Sequence, residues 1–338
     1  MIAGSRPPAT FGVMSQVALA TLPGLVVLTW LFGAGVLWTV ALAIGGALAA
    51  DAAALWLRGR PVRRGLGDGS AVITGLLLGL ALPPLLPAWM TLLGAALAIL
   101  LGKQVYGGLG QNPFNPAMVG YAILLVSFPL EMTAWVLPRG LAENGPFGLT
   151  EAARAIFAAV PVVDGLTGAT PLDDFKHREA LTVTEWQATS GLQGRFAGVG
   201  WEWVNLAFLA GGAYLLWVRR LFSWHAPIGM LAALALCALL FWDGGSSSSG
   251  GSPLFHLLGG ATMLGAFFIV TDPVSGATSP RGRLVFGIGV GVLVYVIRVF
   301  GGYPDAVAFA VLLMNAAAPL IDHFTRPRVY GHGRQPSA

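Results

Sequence analysis

The chain has 338 residues, 56% of them hydrophobic and 10% charged, with a formal net charge of +4. Soluble domains carry about 25% charged residues, so this composition excludes a large soluble core and points to a polytopic membrane protein. The single Cys237 lies midway along an apolar run, which leaves no disulfide framework and no cysteine-held zinc or iron–sulfur site within the chain.

A crossing needs ~20 largely apolar residues, and with that ruler about ten spans are expected. The first pair runs about Gln16–Phe32 and Val36–Leu57, separated by a glycine-containing turn. The third and fourth run about Ala71–Leu82 and Pro87–Leu101, split by Pro83, Pro84 and Pro87. The fifth is about Pro116–Val136, and a long polar interval follows to Gly200. The sixth to tenth run about Trp201–Val218, Pro227–Trp242, Leu254–Val270, Leu284–Phe300 and Ala306–Ile321. Several are short for a straight crossing, so tilted or broken helices are expected. The fold expected is all-α, with residues 1–136 as a first membrane half, 137–200 as a large loop and 201–338 as a second half. Met1–Pro8 has no signal-peptide pattern, Asp243–Ser252 reads as a flexible outer loop, and Gln335–Ala338 as an untethered tail.

Lysine and arginine set orientation. With the N-terminus cytoplasmic, that side holds Arg6, Arg58, Arg60, Arg63, Arg64, Lys103, Arg219, Arg220, Arg281, Arg283, Arg326, Arg328 and Arg334. The other side holds Arg139, Arg154, Lys176, Arg178, Arg195 and Arg298, mostly in the one long loop. Both termini are therefore expected in the cytoplasm and the 137–200 loop outside. Basic residues at span ends speak for membrane lipid rather than nucleic acid, and 11 tryptophans suit two membrane–water interfaces.

An internal repeat is visible. Ser70-Ala71-Val72-Ile73-Thr74-Gly75 before Pro83 resembles Gly260-Ala261-Thr262-Met263-Leu264-Gly265 before Pro273, and Val105-Tyr106-Gly107-Gly108 resembles Val299-Phe300-Gly301-Gly302. Five spans per half is an odd number, so the halves would insert in opposite directions, an architecture of transporters and channels.

Four features could carry chemistry. Tyr106–Pro116 has three glycines and two Asn-Pro steps, which cannot continue a helix. It is either a re-entrant element beside a cofactor or ion path or a turn whose asparagines cap the next helix. Asp51 is an acid in an apolar span, a functional candidate by cost, yet near enough to the interface for water or Arg64 to reach. His256, Asn205 and Asn315 read as interhelical hydrogen bonders. The pattern Asp-x-x-[Ser/Thr]-Gly-Ala-Thr occurs twice, at Asp164–Thr170 and Asp272–Thr278. By composition each is a turn, and topology alone separates them, with Thr170 outside and Thr278 inside.

Gly107-Gly108-Leu109-Gly110-Gln111-Asn112-Pro113-Phe114-Asn115-Pro116-Ala117-Met118, Asp164–Leu172, Thr271–Ser275 with Gly282-Arg283, and Asn315–Asp322 together resemble the D subunits of Rnf ion-translocating electron-transfer complexes. Those are related to the B subunit of the sodium-pumping NADH:quinone oxidoreductase. The resemblance implies that a flavin transferase attaches FMN to Thr170 through a phosphoester. Asp164, Thr167, Gly168 and Ala169 complete the motif, with threonine at 167 where the family often has serine. Gly168 and Ala169 leave the transferase room, and Pro171 and Gly165 are expected to keep the segment out of regular structure. Phe157, Phe175, Trp186 and Trp201 are the local aromatics that could cover the ring. The family is also associated with a non-covalent riboflavin, which the sequence does not place. It further implies a bacterial inner-membrane location with the 137–200 loop in the periplasm, Na⁺ or H⁺ movement, and partner subunits linking ferredoxin to NAD. This chain has no NAD site and no cluster ligands, so it would not be catalytically complete alone. The competing class is a small-solute channel or transporter with an inverted repeat.

Overall fold

The computed structural model describes residues 10–141, 147–158, 167–178, 180–303 and 305–326. The first half supplies α1 (Thr10–Phe32), α2 (Gly35–Leu57), the short α3 (Val62–Leu66), α4 (Ser70–Ala81), α5 (Ala88–Ile99) and α6 (Pro116–Ser127). The interval between the halves holds α7 (Pro129–Thr133), β1 (Trp135–Val136), α8 (Leu149–Ala158), β2 (Thr167–Gly168), α9 (Pro171–Lys176) and α10 (Val183–Thr189). The second half supplies α11 (Trp201–Ala213), α12 (His225–Leu240), α13 (Pro253–Leu258), α14 (Thr262–Leu264), α15 (Pro280–Phe300) and α16 (Val307–Thr325). π-Helical segments extend α5 through Leu100–Gln104, α11 through Tyr214–Arg219 and α14 through Gly265–Ile269.

Helices α1, α2, α15 and α16 are long and apolar enough to cross a membrane, and α4, α5 with its extension, α6 and α12 are shorter apolar helices. Apart from a two-stranded ladder the elements are helical, because a backbone in hydrocarbon must satisfy its own polar groups. The chain is an all-α multi-pass membrane protein. Its helix starts follow one rule. Asn115, Thr170, Ser252 and Ser279 each precede a proline, and each side-chain oxygen accepts the backbone N–H three residues on. Proline at the first helical position has no N–H to orphan, so the pair ends the loop and begins the helix cleanly.

One span departs from its expected bounds, and one shows the break expected of short spans. The fifth span stops at Ser127, because Pro129 forces Phe128 out of helical geometry, and Trp135–Val136 is a strand rather than helix. The eighth is broken at Gly259–Ala261, between α13 and α14.

Pairing repeats between the halves. Helix α2 packs on α4 and α5, and α5 on α6; likewise α12 packs on α13 and α15, and α15 on α16. Ser70 begins α4 as Gly260-Ala261 lead into α14, and Val105–Gly108 follow α5 as Val299–Gly302 end α15. The halves join along α1–α11 and α6–α16. At the first seam a Cβ on Gly211 would collide with the Ala20 carbonyl oxygen. Glycine here is a requirement of close backbone approach, the usual way helices pack without a hydrophobic drive.

The interval between the halves is folded down onto them by two small cores. Ala152 and Ile156 of α8 pack with Leu85 and Val136, and Trp38 Nε1 donates to the Leu149 carbonyl at 3.0 Å. Phe175 and Trp186 pack with Phe255 of α13. The serine-rich 243–252 segment, expected to be flexible, is instead tied in. Arg178 Nη2 donates to the Ser247 and Ser249 carbonyls, and Val183 N donates to the Gly245 carbonyl.

Candidate functional site

Thr167-Gly168-Ala169-Thr170 is not a free turn. Thr167 and Gly168 pair antiparallel with Val136 and Trp135, and Pro171 opens α9, so the segment enters regular structure on both sides of Ala169. Asp164 lies outside the described residues. Thr170 is half-buried and its Oγ1 accepts from Asp173 N at 3.3 Å, capping α9. The acids of that first turn are engaged elsewhere: Asp173 meets His177 at 3.2 Å, and Asp174 accepts from Trp186 Nε1 at 2.7 Å. Burial holds the Lys176 ammonium below its ordinary value, with Asp173 pulling the other way.

Thr170 and Pro171 line a cavity of about 60 Å³ between the two halves, here called the loop-end cavity. Its aromatic wall is Trp135 and Trp201, 4.9 Å apart edge-to-face, with Phe32 packed behind them. Its polar lining includes the Tyr121 and Asp305 side chains. Of the aromatics picked out in the sequence, Trp201 is at this cavity. Phe175 and Trp186 belong to the small core under α10, and Phe157 packs on Trp38. Trp135, Tyr121 and Asp305 carried no signal in the linear pattern, since strand pairing and helix crossings bring them in.

Thr278 sits in other surroundings. It lies two residues before α15 begins, whereas Asp305 at the loop-end cavity lies five residues after that helix ends. A helix of 21 residues spans about 31 Å at 1.5 Å per residue, so the two threonines occupy opposite ends of the bundle. Thr278 is exposed, and its backbone N–H donates to Asp322 Oδ1 at 2.9 Å.

A second, larger cavity of about 180 Å³ lies nearer the Thr278 end, also between the halves. Ala117 lines it where the neighbouring Met118 lines the first, so the two are separated by little more than a layer of side chains. Leu109, Asn112, Asn115 and Pro116 of the Tyr106–Pro116 stretch line it, and of the two readings the capping turn is the one the backbone shows. Asn115 caps α6 while Asn112 and Asn115 face the cavity, and the turn uses left-handed Gly107, Gly108 and Gly110. Asn115 N donates to Asn315 Oδ1 at 3.0 Å, and Asn315 Nδ2 to the Ser275 carbonyl at 3.0 Å. Asp272 accepts from Ser275 Oγ at 2.7 Å. Asn112 Oδ1 is buried without a hydrogen-bond partner among the described residues.

Asp51 is fully buried and pairs with Lys103, Nζ to Oδ2 2.8 Å. Lys103 Nζ also donates to Ser70 Oγ at 2.8 Å, and Gln104 Nε2 donates to the other Asp51 oxygen. Lys103 lines the second cavity, here called the central cavity, and together with Asp51, Arg60 and Arg64 a funnel of about 290 Å³. Read from sequence as a loop charge, Lys103 is 3% exposed, and Arg298 is 4% exposed. Asn205 does what was expected of it: Nδ2 donates to the Leu258 and Gly260 carbonyls and Oδ1 accepts from Met263 N, which closes the break between α13 and α14.

Residues 6–331 match the family described as NQR2, RnfD, RnfE. The chain belongs to that family. A protein of Ectopseudomonas mendocina, named as the D subunit of an ion-translocating oxidoreductase complex, is 61% identical over 326 residues, 96% of this chain and 93% of the relative. A Pseudomonas aeruginosa protein of the same name is 58% identical over 328 residues, 97% of this chain and 93% of the relative. One from Yersinia enterocolitica is 52% identical over 341 residues, 96% and 95%. The NQR2, RnfD, RnfE match spans both membrane halves and the interval between them, so it includes every residue of the two cavities.

Proposed function

We propose that this chain is the membrane subunit of an Rnf-type complex, relaying electrons between ferredoxin and NAD through FMN esterified to Thr170 and coupling them to Na⁺ or H⁺ movement. The names of its relatives support the complex and the ion coupling. What carries the flavin assignment is one observation: Thr170 lines an aromatic-walled cavity between the halves, while Thr278 is exposed at the other end of α15, a helix about 31 Å long.

The residues fit the group. Ala169 is exposed and Gly168 is slim, so a flavin transferase can reach the hydroxyl. The cavity holds about four to six waters' worth of space, less than a tricyclic ring occupies, so the ring would insert an edge and leave the rest at the mouth. That placement suits transfer to a neighbouring subunit. When bound, the flavin supplies one- and two-electron chemistry. Trp135 and Trp201 exclude water from the ring edge, Tyr121 and Asp305 offer polar contacts, and Thr170 tethers the phosphate. The central cavity, with an Asn112 oxygen that has no hydrogen-bond partner among the described residues and the Phe267, Phe268 and Phe286 rings, is the better place for a non-covalent riboflavin. The short basic loops support a reading with both termini in the cytoplasm of a bacterial inner membrane and the Thr170 interval in the periplasm. Iron–sulfur and NAD-binding subunits complete the route.

The test is a denaturing gel of the chain expressed with the transferase. The wild-type band should fluoresce as flavin, Thr170→Val should be dark and Thr278→Val bright. A dark wild-type band would sink the electron-carrier reading in favour of a solute channel, and a bright Thr170→Val band would move the attachment site.

A further inference from the structure

Gly260 lies at the break between α13 and α14 with φ +55, and there is no room for a side chain on it. A Cβ there would meet Leu172 Cδ1 at 2.7 Å, Asp305 Oδ2 at 3.1 Å and Arg298 Nη2 at 3.2 Å. The segment that begins at Thr170 is therefore laid, two residues later, directly over a buried ion pair. Arg298 Nη2 reaches Asp305 Oδ1 at 3.3 Å, with the arginine side chain 1% exposed and the aspartate 25%. Asp305 is the member that lines the loop-end cavity beside Thr170. Arg298 stands behind it, donating to the His256 carbonyl at 2.9 Å and to Thr262 Oγ1 at 3.0 Å.

We infer that the Asp305–Arg298 pair is an electrostatic device that sets the reduction potential of the redox group on Thr170. This rests on the flavin assignment above and adds a role that assignment does not need. The remaining charges nearby are placed differently. Lys176 Nζ donates to the Tyr303 carbonyl at 3.2 Å, Asp173 meets His177 and Asp174 accepts from Trp186, and these charges stay the same in every variant compared below. The guanidinium is out of contact with solvent and the carboxylate is three-quarters covered, so their fields are screened less than those of surface charges. The carboxylate disfavours an added electron and the guanidinium favours it, so the balance between them is read at the flavin. Arg298 also satisfies carbonyls at the end of α13, and that structural duty alone would predict no effect from neutralising Asp305.

The experiment is a dye-equilibrated redox titration of the full-length chain carrying its covalent flavin, with Thr170→Val as the blank for any other flavin. Asp305→Asn should move the potential positive and Arg298→Met should move it negative. Arg298→Lys should stay near wild type, and the double variant should return toward it. If Arg298→Met does not accumulate, the sign of Asp305→Asn decides alone. An unmoved or negative shift in Asp305→Asn, or single variants that shift the same way, would overturn the inference. Absence of any flavin on the wild-type chain would instead remove the Thr170 assignment beneath it.

Discussion

Replacing Lys103 by methionine keeps the length of the side chain and removes its charge. Asp51, 0% exposed, would then retain only the Gln104 amide as a donor. Breaking a buried ion pair by removing one partner costs about 3–5 kcal/mol, because the remaining charge stays desolvated. At about 2 °C per kcal/mol for a chain of this size, Lys103→Met should lower Tm by roughly 6–10 °C. Adding Asp51→Asn should recover most of the loss, since the amide oxygen can still accept from Gln104 and no charge is stranded. Asp51→Asn alone should cost less than Lys103→Met, because Lys103 lines two cavities and Asp51 only one of them, so a stranded ammonium is the better solvated of the two. Thermal unfolding of the detergent-solubilised full chain, followed by helical circular dichroism, measures all three. A Lys103→Met variant within ~2 °C of wild type, or a double variant as unstable as the single, would refute the ion-pair account.

Asn205→Leu should destabilise strongly, since it strands the Leu258 and Gly260 carbonyls and the Met263 amide at a break inside the bundle; each orphaned group costs ~1–3 kcal/mol, readable in the same unfolding assay. Gly211→Val should block the α1–α11 seam, where even a Cβ would run into the Ala20 oxygen, and the variant should aggregate on size-exclusion chromatography where Gly45→Val, with open space around it, does not. Hydrogen bonds led by the Ser246 hydroxyl hold Asp243 down to about 2 from an ordinary 3.8, so its support for the serine-rich loop is complete above pH ~4 and is lost as pH falls toward 2. The Tm gap between wild type and Asp243→Asn should therefore be constant from pH 7 to 4 and close below that, and a gap that persists to pH 2 would dismiss the carboxylate's role.

Much of the architecture was legible because its causes are local. Apolar runs mark the helices and Asn115-Pro116 marks the start of α6, while Thr170-Pro171, expected to stay out of regular structure, begins α9. The departures share a cause too. Lys103 and Arg298 stand at helix ends, where a linear pattern cannot distinguish a charge in the loop from one turned inward. Only the arrival of Asp51 from α2 and Asp305 from beyond α15 shows which it is. Trp135 continues an apolar run that reads as helix, yet Pro129 ends that helix early, and the pairing of Trp135 with Gly168 crosses 33 positions. Phe175 and Trp186 are near Thr170 in sequence, yet α9 carries them away into a separate core.

The two Gly-Ala-Thr copies show how little a motif decides. In the first, Thr170 directly precedes Pro171 and is itself the cap of its helix. In the second, Ser279 intervenes before Pro280 and takes the capping bond, donated by Gly282 N at 2.9 Å. One inserted residue thus frees the Thr278 hydroxyl of that duty and leaves it exposed, with its backbone N–H tied to Asp322. The same insertion separates the threonine from the helix start that, in the first copy, holds the hydroxyl against a cavity shared by both halves. An exposed hydroxyl is easier to reach, so accessibility alone would favour Thr278. What supports Thr170 in the proposed assignment is that a group attached there would have the Trp135–Trp201 wall and the Asp305–Arg298 pair beside it.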